Sequence, residues 1–262
     1  MVIIENERIE EIPVLHLVKR ELWEEKLPLI IFIHGFTSAK EHNLHYAYLM
    51  AEKGFRVVLP DAPYHGERAK GDNEQKLMGE FWEIVIRSIT EIDVIRKNLI
   101  DRNIIIPEKI GLAGTSMGGI VTLGALASYE WIHTGVSLMG NPAYVSYAKL
   151  QIETLKKQDV SLNLSDQEID QTLSRLAEYD LSLQQEKLAG RPLMFWHGAK
   201  DRVVPYRNAW ELYQALLPGY QFENDRLSFI LDETAEHKVS REGVLKTVEW
   251  FETHMSPAGQ NV

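Results

Sequence analysis

The segment Gly114-Thr115-Ser116-Met117-Gly118 narrows what this chain can fold into more than any other stretch. It matches G-x-S-x-G. A short apolar run, Lys109 to Ala113, precedes it, and a helix-compatible run, Ile120 to Ala127, follows. Strand, tight turn and helix in that order make a nucleophile elbow, with the serine at the tip of a sharp turn. The helix must leave close beside the strand, so residues two before and two or three after the serine must be small. Here they are Gly114, Gly118 and Gly119. The same turn sets the helix N-terminus behind Ser116, where its dipole and free N–H groups favour developing negative charge.

Around the elbow, apolar runs alternate with helical periodicities. Ile12–Val18 reads as an early strand, antiparallel and at the sheet edge, where Pro13 is tolerable. Pro28–Ile33 is continuously apolar, the pattern of a strand covered on both faces. Phe55–Leu59, Thr134–Met139, Leu193–Trp196 and Leu227–Leu231 are further strands. A helix over 41–53 stops at Gly54. Residues 81–99 carry a helical stripe of Phe81, Val85, Ile89, Ile92, Ile95 and Leu99, and Val244, Val248, Phe251 and Met255 mark a last amphipathic helix. The alternation predicts an α/β chain, a mostly parallel central sheet with helices on both faces, as a single domain over 1–262. In such sheets ligands sit beyond the carboxyl ends of the strands.

Residues 141–190 break the alternation. They are polar and helical, and Ser165-Asp-Gln-Glu168 is a capping-box pattern ahead of Ile169, Leu173 and Leu176. About fifty residues is long for a connection, which favours a small helical cap insertion over a plain crossover.

Three further pieces complete a hydrolytic constellation. Asp201 falls in His197-Gly-Ala-Lys-Asp201-Arg-Val-Val-Pro205, just beyond a strand end. A carboxylate there holds an imidazole tautomer and stabilises the imidazolium. His237 follows the last strand and is the candidate base, since imidazole takes and returns a proton near neutrality. Serine, aspartate, histidine is this architecture's chain order, which favours Asp201 over the rival Asp232 on the histidine's own loop. His34-Gly35-Phe36-Thr37 follows the buried strand, so the backbone N–H groups of Phe36 and Met117 form an expected oxyanion hole. Gly35 lets the backbone approach substrate, and His34 is expected to shape the hole. His65, in another strand-end loop, either lines the pocket or holds its own loop. Tyr64, Met139, Tyr144 and Tyr147 are pocket candidates. His42 and His45, three apart on a helix, face either the site or solvent.

Net charge is −10, from 28 basic and 38 acidic residues, with no basic cluster, which argues against nucleic acid and anionic membrane surfaces. There is no cysteine, so thiolate catalysis and cysteine metal sites are excluded. No His/Asp/Glu grouping has metal-ligand spacing, and neither a metal nor another cofactor is expected. Residues 1–10 lack the pattern of a signal peptide, and no apolar run reaches membrane-span length, so a cytoplasmic location is expected. Nothing here reports the oligomeric state.

The segments His34-Gly-Phe36, Asp61-Ala-Pro-Tyr-His65-Gly-Glu-Arg68, Gly114 to Gly119, Gly198 to Pro205 and the late His237 together resemble the α/β-hydrolase superfamily over nearly the whole chain. More narrowly they resemble small bacterial carboxylesterases of the YitV/YjfP type, related to dienelactone hydrolases and prolyl-oligopeptidase catalytic domains. The resemblance implies Ser116, Asp201 and His237 as a triad and a small carboxylic ester as substrate. Dienelactone hydrolases typically use a cysteine nucleophile where this chain has serine. No long N-terminal region precedes the domain, so oligopeptidase-like gating by a propeller is not expected. A thioesterase or short-peptide hydrolase would use the same triad. A ligand-binding member with an idle triad is the alternative outside enzymes.

Overall fold

A computed structural model describes residues 1–71, 74–157 and 165–256, with Gln75 described by its backbone only. Among these residues eight strands form one sheet: β1 Val2–Ile9, β2 Ile12–Lys19, β3 Leu27–Ile33, β4 Arg56–Pro60, β5 Ile105–Thr115, β6 Thr134–Leu138, β7 Leu193–Gly198 and β8 Leu227–Asp232. The helices are α1 Leu44–Glu52, α2 Glu74–Gly79, α3 Phe81–Asp101, α4 Met117–Ser128, α5 Tyr144–Lys157, α6 Asp166–Ala177, α7 Arg207–Leu216 and α8 Arg241–Met255. The spatial order is β1-β2-β4-β3-β5-β6-β7-β8. Strands β3 to β8 run parallel, and β2 joins β4 antiparallel. This is the mostly parallel α/β-hydrolase sheet that the motifs imply.

The apolar run of β3 becomes a central strand because both its faces are covered. Leu29, Ile31 and Ile33 enter one core with α3, α4 and α7. Ile30 and Phe32 enter the other with α1 and α8. All seven residues of β3 are buried, as a two-sided strand requires. The chain places β4 on one side of β3 and β5 on the other, so the strand order switches direction at β3. The crevice beyond the carboxyl ends there is where such sheets take ligands.

The sheet edge differs from expectation. β2 is an inner strand, and β1 lies outside it as the antiparallel edge. Glu5, Asn6 and Glu7 make β1 half-polar, as suits an edge in contact with water. The β1–β2 turn places Glu10 at φ 52°, where no glycine or asparagine marks it.

The expected insertion over 141–190 carries α5 and α6 and, among the described residues, no strand; its residues 158–164 lie outside them. Ser165 caps α6 reciprocally. Its Oγ accepts from Glu168 N at 3.3 Å, and Glu168 Oε2 accepts from Ser165 N at 2.7 Å. Among the described residues no helix is long and apolar enough to cross a membrane.

Candidate active site

Ser116 follows β5 and serves as N-cap of α4 at φ 54°, ψ −114°, a strained backbone for a residue with a Cβ. The strain is held by Ser116 N donating to Leu138 O at 2.8 Å and by glycines that let α4 lie against β3 and β5. A Cβ on Gly118 would overlap the Ile33 carbonyl, and one on Gly114 would overlap Gly118. The elbow therefore forms because this sequence leaves two Cβ atoms out.

His237 reaches this serine from the loop after β8, and Asp201 reaches the histidine from the loop after β7. Ser116 Oγ donates to His237 Nε2 at 2.8 Å. His237 Nδ1 donates to Asp201 Oδ2 at 2.6 Å. Asp201 Oδ1 accepts from Val203 N and Val204 N, both at 2.9 Å, which fixes the carboxylate. Burial alone would raise the Asp201 carboxyl. The imidazoles of His197 and His237 and the Val204 N–H outweigh it and hold the group well below the usual carboxylate range. The two loops are tied to each other by Ala199 N to Asp232 O at 2.8 Å and Lys200 N to Ala235 O at 3.0 Å. Asp232, the rival acid, is spent on its own turn: its Oδ1 accepts from Thr234 N, Thr234 Oγ1 and Ala235 N.

Beyond β3, Ile33 pairs with Gly114, so the His34–Thr37 loop leaves the sheet beside the elbow. A Cβ on Gly35 would stand 3.4 Å from Thr115 O and 3.6 Å from Ser116 Cβ. Phe36 N–H and Met117 N–H have no acceptor among the described residues. His34 is buried and spans two loops. Its Nδ1 donates to Gly35 O at 2.7 Å, and its Nε2 accepts from Ala62 N at 3.0 Å. His65 is arranged alike, with Nδ1 donating to Pro63 O at 2.8 Å and Nε2 accepting from Thr37 N at 3.0 Å. Burial pushes His34 down to about 4 and lowers His65 as well.

That shift has a sign. An unfolded histidine takes its proton near pH 6.5, whereas native His34 resists it until about pH 4. The contribution is whole above about pH 6.5 and is lost as pH falls toward 4, by about 3 kcal/mol from this residue. The urea midpoint is expected to fall between about pH 7 and about pH 4.5, and to fall less in His34→Gln. Equal acid sensitivity in both proteins would rule this out.

The Asp61–Arg68 stretch is loop architecture. Asp61 accepts from Lys40 N (3.0 Å), Lys40 Nζ (2.8 Å) and Glu67 N (3.0 Å). The ammonium of Lys40 is fully buried and also meets Glu67 at 2.7 Å. Arg68 is engaged with Glu91 through both Nη atoms, at 2.6 and 2.7 Å.

The remaining candidates fall in different places. Tyr144 is fully buried and donates its hydroxyl to Ile120 O at 2.6 Å, which makes it core. Met139, at φ 56°, is buried behind the elbow, where its N donates to Trp196 O at 2.9 Å. Tyr64 is half-buried at φ 64°, with Lys70 Nζ 5.4 Å from its ring centre. His42 meets Ser38 Oγ at 2.9 Å, and His45 lies against the Tyr46 ring. Neither belongs to the Ser116 cluster.

Three neighbours were not among the site candidates that the sequence offered. Phe81 packs edge-on to Phe36 at 5.5 Å between ring centres, and Trp82 continues the row to Tyr144 and Tyr147. Trp82 Nε1 donates to Gln151 on α5 at 2.9 Å. Phe81 lay in the helical stripe, but Trp82, one residue on, is rotated about 100° to another face and escapes a periodicity reading. His197, third, is buried with Nε2 donating to Val204 O at 2.7 Å and 3.6 Å from Asp201 Oδ2.

Comparison with known proteins agrees with this frame. Residues 41–257 match the model of the prolyl oligopeptidase family. The chain is 52% identical over 255 residues to YitV of Bacillus subtilis (strain 168), covering 97% of this chain and 100% of the relative. It is 31% identical over 255 residues to Esterase YjfP of Escherichia coli (strain K12), with the same coverage. The structure of TT1662 from Thermus thermophilus superposes with a TM-score of 0.72 at 21% identity, covering 97% of this chain and 98% of that one.

Proposed function

The chain belongs to the prolyl oligopeptidase family, and on that footing we propose that it is a serine hydrolase of small carboxylic esters acting through an acyl-enzyme. The observation that carries this reading is the unbroken chain from Ser116 Oγ through His237 to Asp201, at 2.8 and 2.6 Å. In it, His237 Nε2 takes the hydroxyl proton as Ser116 Oγ bonds to the ester carbonyl carbon. The oxyanion is held by Phe36 N–H and Met117 N–H. Collapse breaks the bond to the alcohol oxygen, which leaves with the proton from His237. A water, deprotonated by His237, then attacks the acyl-serine, and the acid departs as Ser116 recovers its proton. Asp201 keeps Nδ1 protonated and opposes the positive charge on the ring. No cofactor takes part in these steps.

An ester is favoured over a peptide because Esterase YjfP, which this chain spans from end to end, is named for ester cleavage. Residues 141–190 are proposed as the cap that bounds the acyl pocket, with the Trp82–Gln151 bond joining α5 to the wall beside Phe36.

The test pairs turnover with labelling. Short-chain p-nitrophenyl esters are expected to be hydrolysed faster than acyl-CoA or aminoacyl-anilide substrates. A fluorophosphonate is expected to add one equivalent at Ser116, located by peptide mass spectrometry. An unlabelled serine in folded protein would overturn the reading, and preference for a thioester or anilide would reassign the substrate.

A further inference from the structure

The Phe36 N–H belongs to a peptide plane that cannot be aimed by its own chain. The loop from His34 to Thr37 is outside any helix or strand, and Thr37 sits at φ 58°. That is a left-handed conformation rare in a β-branched residue, which persists only where its surroundings impose it. Two imidazoles supply that constraint from opposite ends. His34 Nδ1 donates to Gly35 O, the carbonyl of the same peptide whose N–H is on Phe36. His65 Nε2 accepts from Thr37 N, the next peptide along. The Phe36 plane is thereby held on both sides.

We propose that His65 is a positioning residue for oxyanion stabilisation, acting through Thr37 to aim the Phe36 N–H at the developing negative charge. This rests on the triad and oxyanion reading above. Its logic is one of lone pairs. A backbone N–H needs an acceptor at Nε2, so the ring proton must stay on Nδ1, where Pro63 O takes it. The imidazole is 4% exposed, and the ring of Phe36 closes over it with centres 5.5 Å apart. The His34 ring stands 5.2 Å away. The loop carrying His65 is anchored in turn by the Asp61 carboxylate, which binds Lys40 from the far end of the oxyanion loop. Among the described residues the hydrogen bonds of His65 are to backbone and its ring contacts are to Phe36 and His34, with none to Ser116, His237 or Asp201.

The experiment compares His65→Leu, His65→Asn and His65→Gln with the parent protein on a p-nitrophenyl ester. A trifluoromethyl ketone, whose serine adduct carries the oxyanion, is the second readout. Leu has no acceptor, and Asn is too short to reach Thr37 N. Both are expected to lower kcat roughly 10- to 100-fold with KM changed little, less than removing a donor outright. Ketone inhibition should weaken by a similar factor. Gln carries an acceptor to about the same reach and should return kcat to within about threefold of the parent. If His65→Leu fails to fold, the Asn and Gln pair carries the comparison. Equal kcat and equal ketone binding in Asn and Gln would overturn the proposal. A change confined to Tm or KM would do the same. Failure of the parent to turn over esters or to label at Ser116 would instead sink the triad reading.

Discussion

Ser116→Ala is expected to lower ester turnover roughly 10^4- to 10^6-fold while the protein stays folded. The size follows from the concerted use of three groups. Without the hydroxyl no acyl-serine forms, and His237 and Asp201 have nothing to activate. Asp201→Asn should cost roughly 10^4-fold, because an amide donating to the ring nitrogen would favour the wrong tautomer at Nε2. The double variant should be little worse than Ser116→Ala, since parts of one device are not additive. The fold should survive for a local reason. Alanine keeps the Cβ and the N–H that donates to Leu138 O, so the φ of 54° is no harder to hold than in the parent. Initial rates on a p-nitrophenyl ester and a far-UV spectrum check both halves. Turnover within tenfold of the parent would remove Ser116 from the mechanism.

The second large effect concerns folding. Gly118→Ala is expected to destabilise by about 3–5 kcal/mol, which in a chain this long lowers Tm by about 10 °C. The added Cβ would overlap the Ile33 carbonyl and press on that of His34. Neither obstacle is a side chain that can swing aside; both are backbone of the strand and loop that bring Phe36 to the site. Relief therefore requires α4 to move away from β3, separating Met117 N from Phe36 N. Gly219→Ala is the control, because a Cβ there meets nothing within 4 Å. It should change stability by no more than about 0.5 kcal/mol. Thermal melts of the two variants side by side decide the matter. Equal Tm values would mean that the close approach of helix and strand is not what the glycine provides.

What the residues announce and what they hide divides along physical lines. β3 was legible because a strand covered on both faces must be apolar throughout. The α6 start was legible because Ser165 and Glu168 sit at the one spacing that closes a reciprocal cap. That Asp201 and His237 fall in the loops just beyond β7 and β8 was legible from where those apolar runs end. β1 was not. Its run of four polar residues, Glu5 to Arg8, is common in loops, and the Glu10 turn uses residues that do not advertise a left-handed φ. The partners of His34 and His65 were hidden too, because each imidazole accepts from a backbone N–H 28 positions away, and a backbone donor leaves no mark on composition. Trp82 was missed because a periodicity reading keeps one face of a helix and discards the others.

The Lys40 ammonium also constrains how this chain can change over generations. It is buried against the equally buried Asp61 carboxylate, and the more exposed carboxylates of Glu67 and Glu41 complete its shell. A substitution at 40 alone would leave the buried Asp61 carboxylate without its cation, and one at 61 alone would leave the ammonium only its two more exposed carboxylates. Drift at 40 alone is therefore the costlier path, and descendants of this chain should keep the lysine for as long as they keep Asp61.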